Sequence, residues 1–309
     1  MTSLLLVALS LAPAGEDGQT HLLRYRFEPG TSLRHEITTA VTIDSQTPGN
    51  AQVVKNNGVT VQRMDVLPVP AGAPPGTAGQ LRVHSERVKL SAQFDANPPT
   101  TYDSESDEPV APGYEAVAAV AHAPLGELTV SELGDVTQAK SLLPGMDELD
   151  EELEELAEKK ATESYRDLFP SFPEHAVAVG QSWDESLTVR VQEGKLLKPW
   201  KLRRRSTLQK VENGVATIGV TITPLPPPTD PTFQEQLAMK CPTGLLEFDL
   251  NAGRILTLRA EVDAEVIGFR GPGGMLKLKS LHVQRLTDSG PTEELTTRQA
   301  AAGEARPSF

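Results

Sequence analysis

The strongest constraint in this chain is a period of two. Leu33, Ile37, Val41 and Ile43 fall on one set of alternating positions, and Arg34, Glu36, Thr38 and Asp44 on the other. Successive side chains of a strand point to opposite faces, so this pattern gives one apolar and one polar face, whereas a helix would scatter the same residues around its axis. Upstream, His21, Leu23, Tyr25 and Phe27 alternate with Leu22, Arg24, Arg26 and Glu28, and Pro29-Gly30 turns the chain.

The pattern returns along the sequence. Alternating segments surround residues 59–66 and 81–90, separated by the Pro-, Gly- and Ala-rich residues 68–79, which read as an exposed connection. Residues 97–113 are poor in core side chains and read as a surface loop. Residues 115–123 fit a short helix or a buried strand, and residues 126–136 a hairpin turned at Gly134. In the second half, Trp183, Leu187, Val189 and Val191 lead into strands over 201–211, 215–223, 245–250, 254–267 and 276–286, with a turn at Asn251-Ala252-Gly253. The 24 Gly and 25 Pro suit many strands joined by turns rather than a helical bundle. The expectation is a mainly β protein of antiparallel curved sheets or half-barrels, with one acidic amphipathic helix between two halves.

That helix is read from Met146, Leu149, Leu153 and Leu156, which recur at helical spacing with seven acids among them, and from Lys159 and Lys160 toward its C-terminal end. It ends by Pro170, at the latest Pro173. The expected organisation is a signal peptide over residues 1–14, an N-terminal β half over 20–140, the helical connector over 141–169, a C-terminal β half over 170–287 and a disordered tail over 288–309. The signal reading rests on the apolar residues 4–11 followed by Ala12-Pro13-Ala14, although no Lys or Arg precedes them. Cleavage near Ala14 would make the mature protein periplasmic or secreted, with no transmembrane span.

Three local patterns occur in the same order in both halves. Gly30-Thr31-Ser32-Leu33 parallels Gly180-Gln181-Ser182-Trp183, Asn57-Gly58-Val59 parallels Asn213-Gly214-Val215, and Gly126-x-Leu128-x-Val130 parallels Gly244-x-Leu246-x-Phe248. Both Asn-Gly pairs suit tight turns. An internal duplication is one reading. The other is that any two meanders reuse the same turn chemistry.

Catalytic patterns are lacking. His35-Glu36 has no second histidine at the zinc-protease spacing, and no G-x-S-x-G elbow occurs. His84 and Ser85 would point to opposite faces of a strand. The glycine-rich residues 268–274 lack the Lys-Ser/Thr ending of a phosphate cradle. The acids Asp103, Glu105, Asp107 and Glu108 lack the glycine and terminal glutamate of a calcium loop. Cys241 has no partner for an internal disulfide. No catalytic residue, metal ligand or cofactor is assigned.

A formal charge of −13 repels phosphate backbones and sets aside double-stranded nucleic acid. Within that acidic chain Lys195, Lys198, Lys201, Arg203, Arg204, Arg205 and Lys210 form a stretch without an intervening acid, with Trp200 inside it. Trp200, Lys201, Arg203 and Arg205 are therefore candidate contacts for anionic headgroups or acidic glycans, and Tyr102-Asp103 are a second candidate contact. The alternative is that the basic stretch pairs with the acidic helix or protects an edge strand.

Tyr25-x-Phe27-x-Pro29-Gly30, Tyr102-Asp103-Ser104, the hairpin at Gly126 and Phe172-Pro173 followed by Val179-Gly180-x-x-Trp183 together resemble a family of exported bacterial proteins grouped as a domain of unknown function. The resemblance implies no catalytic residues. At the level of fold the chain is also similar to periplasmic lipoprotein carriers, whose curved sheet encloses an apolar groove. The function expected is a non-enzymatic exported protein binding an apolar ligand, lipid or envelope component. The rivals are a structural envelope-associated module and a hydrolase with an unrecognised site.

Overall fold

Residues 19–145 and 151–291 are described by the computed structural model. The expected signal peptide, Met146 and Leu149 of the helix, and residues 292–309 of the expected tail lie outside them. The alternating segments become long antiparallel strands: β1 (Thr20–His21), β2 (Thr31–Thr47), β3 (Asn50–Leu67), β4 (Thr77–Phe94), β5 (Thr100–Asp103), β6 (Pro124–Ser131) and β7 (Val136–Ser141). The second half contributes β8 (Val177–Ala178), β9 (Ser182–Glu193), β10 (Leu196–Glu212), β11 (Val215–Leu225), β12 (Thr243–Asp249), β13 (Arg254–Ile267) and β14 (Met275–Pro291). Three helices accompany them: α1 (Glu115–Ala118), α2 (Glu151–Tyr165) and α3 (Pro231–Ala238).

One sheet runs in the order β7-β6-β4-β3-β2-β14-β13-β12-β11-β10-β9, with β5 added beside β4, and its outer strands β7 and β9 do not pair. The protein is thus mainly β and antiparallel, and the sheet is not closed. β14 lies between β13 and β2, so strands from both halves form one surface. β14 also continues to Pro291, into the stretch expected to be tail.

The face carrying Leu33, Met64, Leu81 and Val130 on one flank is the face carrying Leu208, Ile218, Leu246 and Phe248 on the other, and all are buried in one core. Strands this far apart in the ladder share a core only when the sheet curls toward that face. The gap between the flanks is filled by residues 22–28, which were expected to be a strand. They keep the alternation, with Leu23 and Tyr25 buried, yet they join no ladder. Instead Tyr25 N–H donates to Glu132 O at 2.9 Å on the β6 side, and Arg26 N–H donates to Gly253 O at 2.9 Å on the β12 side. The segment is a plug bonded to both flanks. Tyr25 O–H donates to Pro170 O at 3.0 Å, and its ring packs on Phe27, Phe169, Phe172 and Phe248.

α2 follows β7 at one edge of the sheet and precedes β9 at the other. Its Ala161 and Tyr165 pack against the core. A side chain at Gly126 would collide with the Tyr165 hydroxyl, 2.6 Å from the Cβ position. The side chains of Leu153 and Leu156 lie outside the described set.

Two turn readings differ in outcome. Asn213-Gly214, both with positive φ, form the expected turn between β10 and β11. Asn57-Gly58 lies inside β3, and the β2–β3 turn falls at Pro48-Gly49. Gly58 is small because Thr39 Oγ1 and Leu90 Cδ2 would stand 2.8 and 3.0 Å from a Cβ there. That pair therefore serves close packing rather than a turn.

Candidate binding trough and basic hairpin

The concave face changes character along the strands. At the plugged end Leu33, Met64 and Val83 stand in one cross-strand row, almost wholly buried. The next row is polar: His35 opposes Gln62, which opposes Ser85. Gln284 on β14, opposite Ile37, extends the polar zone. On the other flank Ser206 and Arg204 occupy the corresponding positions of β10, and Arg204 Nη1 pairs with Glu185 Oε2 of β9 at 3.1 Å. His35, Ser85, Ser206, Arg204 and Gln284 are all buried.

Four atoms of this belt, His35 Nδ1, Gln62 Oε1, Ser85 Oγ and Gln284 Oε1, are buried without a hydrogen-bond partner among the described residues. A buried polar group without a partner costs free energy, so the belt weakens the sheet interior where it lies. Burial and the nearby Arg254 charge press the His35 pKa down to about 4, so its ring is neutral at pH 7. Burial also lowers the pKa of His282 on the same concave face. Ser85 Oγ bonds to no base among the described residues, and His84 lies on the opposite face, with Nε2 at 3.1 Å from Asp65 Oδ2.

Beyond the belt the flanks no longer share one core. Three separate clusters replace it: Val88 and Tyr102 under α1, Leu187, Val191 and Leu202 under α3, and Val266, Phe269 and Leu276 beside the β13–β14 turn. On the concave face Val41, Ile43, Leu90, Val220, Ile222 and Ala264 are only partly buried, with Ile43, Leu90 and Ile222 at the margins of those clusters and Val220 against the main core. In register, Ile43 opposes Leu278, which opposes Ala264, while Val41 opposes Ser280, which opposes Val262. The result is a largely apolar trough on the concave face, covered by residues 22–28 at one end and only partly covered toward the other, open end.

Alternation divides the basic stretch between the two faces. Trp200 lies on the concave side, where its ring meets Phe233 of α3 at 5.3 Å and its indole N–H donates to Pro226 O at 3.1 Å. Lys201, Arg203 and Arg205 lie on the convex side. Arg205 grips Asp184 through two bonds of 2.8 Å, and this hydrogen-bonded guanidinium holds the Asp184 carboxyl below its ordinary range. Lys198 pairs with Glu193 and Lys210 with Glu212, both close by on β9 and β10. Arg205 also borders a shallow convex depression of about 390 Å³ floored by Gly219 and flanked by Thr207, Leu245 and Arg259.

Tyr102 and Asp103 sit on the opposite flank and are not brought to Trp200. Tyr102 is buried and stacks on Tyr114 at 5.8 Å. Asp103 is held by Arg87 at 3.3 Å and Lys89 at 3.6 Å, and Glu105 by Arg87 at 3.1 Å. Sequence reasoning missed α3, the helix that braces Trp200. Its signal was present in Asp230-Pro231: the Asp230 carboxylate accepts from Thr232 N–H at 2.8 Å, and proline occupies the first turn.

Scans against protein-family models and against curated proteins find no match. Among solved structures, one reported under the heading of lipid-protein interactions in lipovitellin superposes with a TM-score of 0.50 at 12% identity, covering 86% of this chain and 26% of that one. The chain thus spans about a quarter of the lipovitellin chain it matches, and the likeness is one of fold. DynF from the dynemicin biosynthesis pathway of Micromonospora chersina aligns over 91% of this chain and 92% of that one, at 8% identity and a TM-score of 0.17. No described helix is long and apolar enough to cross a membrane.

Proposed function

We propose that this chain is a non-enzymatic binding protein that holds an apolar, lipid-like molecule along the concave face of its sheet, and that it acts outside the cytoplasm after removal of its first fourteen residues. The observation that carries the reading is the trough. The same apolar face that is almost wholly buried at the plugged end is only partly covered at Val41, Ile43, Leu90 and Ile222 toward the open end. Apolar surface left partly open in a concavity is the usual lining of a small-molecule site. Fold likeness to lipovitellin, solved for its lipid-protein interactions, supports the same reading as analogy. The belt of His35, Gln62, Ser85 and Gln284 marks the inner limit of the apolar space.

The test is binding from solution. Protein purified without detergent is analysed by native mass spectrometry for co-purified lipid and titrated with a fluorescent fatty acid. Saturable uptake is expected, and it is expected to be lost in Val41→Arg and Ile222→Arg, which place charges in the trough. Absence of co-purified lipid together with non-saturable uptake would overturn the proposal.

A further inference from the structure

The β9–β10 hairpin outruns the sheet. β10 pairs with β11 only from Lys201, opposite Leu225, whereas its pairing with β9 continues to Leu196, opposite Glu193. Residues 196–200 and their partners therefore form a two-stranded arm. Five residue pairs at ~3.3 Å each carry it about 16 Å past the end of the β10–β11 ladder. α3 braces the concave side of this arm: Val191 and Trp200 pack with Phe233 and Leu237, and the Gln236 side chain bonds the Gln192 backbone at both its N–H and its carbonyl.

At the tip Leu196 and Leu197 are 67% and 63% exposed. Other exposed apolar residues occupy the same end of the sheet: Ile267 closing β13, Leu225 closing β11, Phe94 closing β4 and Met239 after α3. Charge around the arm runs against the molecule as a whole. Between residues 190 and 205 the cations Arg190, Lys195, Lys198, Lys201, Arg203, Arg204 and Arg205 face the acids Glu193 and, on the neighbouring strand, Asp184 and Glu185, while the entire chain carries −13. Arg190, Lys195 and Lys201 make no ion pair among the described residues.

We infer that this arm docks the protein on an anionic lipid surface. Leu196 and Leu197 enter the interface while Lys195, Lys201 and Arg190 meet the headgroups. Adjacent exposed leucines at the start of β10, beside the hairpin turn and near cations that form no ion pair among the described residues, fit such a surface on two counts. Apolar side chains leave water at the acyl boundary, and each basic residue gains from the negative surface potential. A folded acidic partner would satisfy the cations but would leave no reason for two bare leucines at the most advanced point. Docking at this end would bring the open end of the trough to the membrane, so the purpose of the contact rests on the ligand-binding proposal, although the contact itself does not.

The test is flotation with vesicles of phosphatidylcholine alone and of phosphatidylcholine with phosphatidylglycerol. The full chain is expected to float with the anionic vesicles and not with the neutral ones. Leu196→Ser with Leu197→Ser should weaken partitioning at least about tenfold. Lys195→Ala and Lys201→Ala should each weaken it roughly fivefold. Leu197→Trp should show a blue-shifted emission on adding anionic vesicles. Retention of full binding by the double serine variant, equal binding to both vesicle types, or no flotation at all would overturn the inference. Uptake of fluorescent fatty acid from solution separates the two proposals: the serine variant should keep it, and Val41→Arg should lose it while still floating.

Discussion

Tyr25 and Phe248 meet edge to face, with ring centroids 5.3 Å apart and an interplanar angle of 82°. The first residue belongs to the plug and the second to β12, so the contact ties the plug to one flank, while Tyr25 N–H on Glu132 O ties it to the other. Tyr25→Ala should cost about 3–5 kcal/mol by removing a fully buried ring from this junction. Tyr25→Phe should cost about 1–2 kcal/mol, since Pro170 O loses its donor while the ring packing stays. Urea unfolding curves that show no difference between the two variants would contradict the division between packing and hydrogen bond.

Gly134, at the β6–β7 turn, has φ +95, and a Cβ there would stand 2.6 Å from Tyr25 Cε2 and 2.8 Å from Pro170 O. Gly113 has nearly the same φ, +94, with nothing within 4 Å. Gly113→Ala should therefore carry the backbone strain alone, about 1–2 kcal/mol. Gly134→Ala adds a collision and should be clearly worse, with near-ultraviolet dichroism from the Tyr25 cluster altered. Equal thermal shifts in the two variants would refute the packing argument.

His35 makes stability depend on pH in a defined direction. Its folded pKa is about 4 against an ordinary 6.5, so the unfolded chain binds the proton more readily in that window. Stability contributed by the neutral, buried ring is complete above pH 6.5 and falls as pH drops toward 4, by about 3 kcal/mol in all. Below pH 4 this contribution is flat. His35→Leu should remove this part of the acid slope, and because it also removes an unpartnered buried nitrogen it should leave stability at pH 7 close to the parent. Denaturant midpoints measured across pH 4 to 7 for both proteins check the sign and the window.

Asp230→Ala should cost about 1 kcal/mol through loss of the α3 N-cap. Because Gln236 and Phe233 of α3 hold the hairpin arm, backbone hydrogen exchange in residues 189–200 should quicken in this variant. Exchange that quickens in α3 alone would show that the arm stands without its brace.

The long strands were legible because period-two alternation reports which face a side chain takes. It does not report the partner. Residues 22–28 alternate as strictly as β2, with Tyr25 and Leu23 inward, yet they bond to a turn on either flank instead of a neighbouring strand. Asn57-Gly58 failed as a turn because a glycine needed for close approach has the same sequence signature as one needed for positive φ. The basic stretch was visible as composition, but its projection beyond the sheet depends on where β11 ends relative to β10, which is a matter of register. Trp200 was legible as special and not as internal, since α3, which covers it, was not foreseen.

The placement of β14 between β2 and β13 sets an order of events for the growing polypeptide. β2 is made early, and one side of its ladder stays bare until residues 275–291 arrive, more than two hundred positions later. β13 waits in the same way, though only briefly. Contacts of such long sequence separation form slowly, and bare strand edges invite pairing with the wrong chain. The last described strand therefore acts as the closing seam, and until it is in place the two flanks can hold only their separate hairpins.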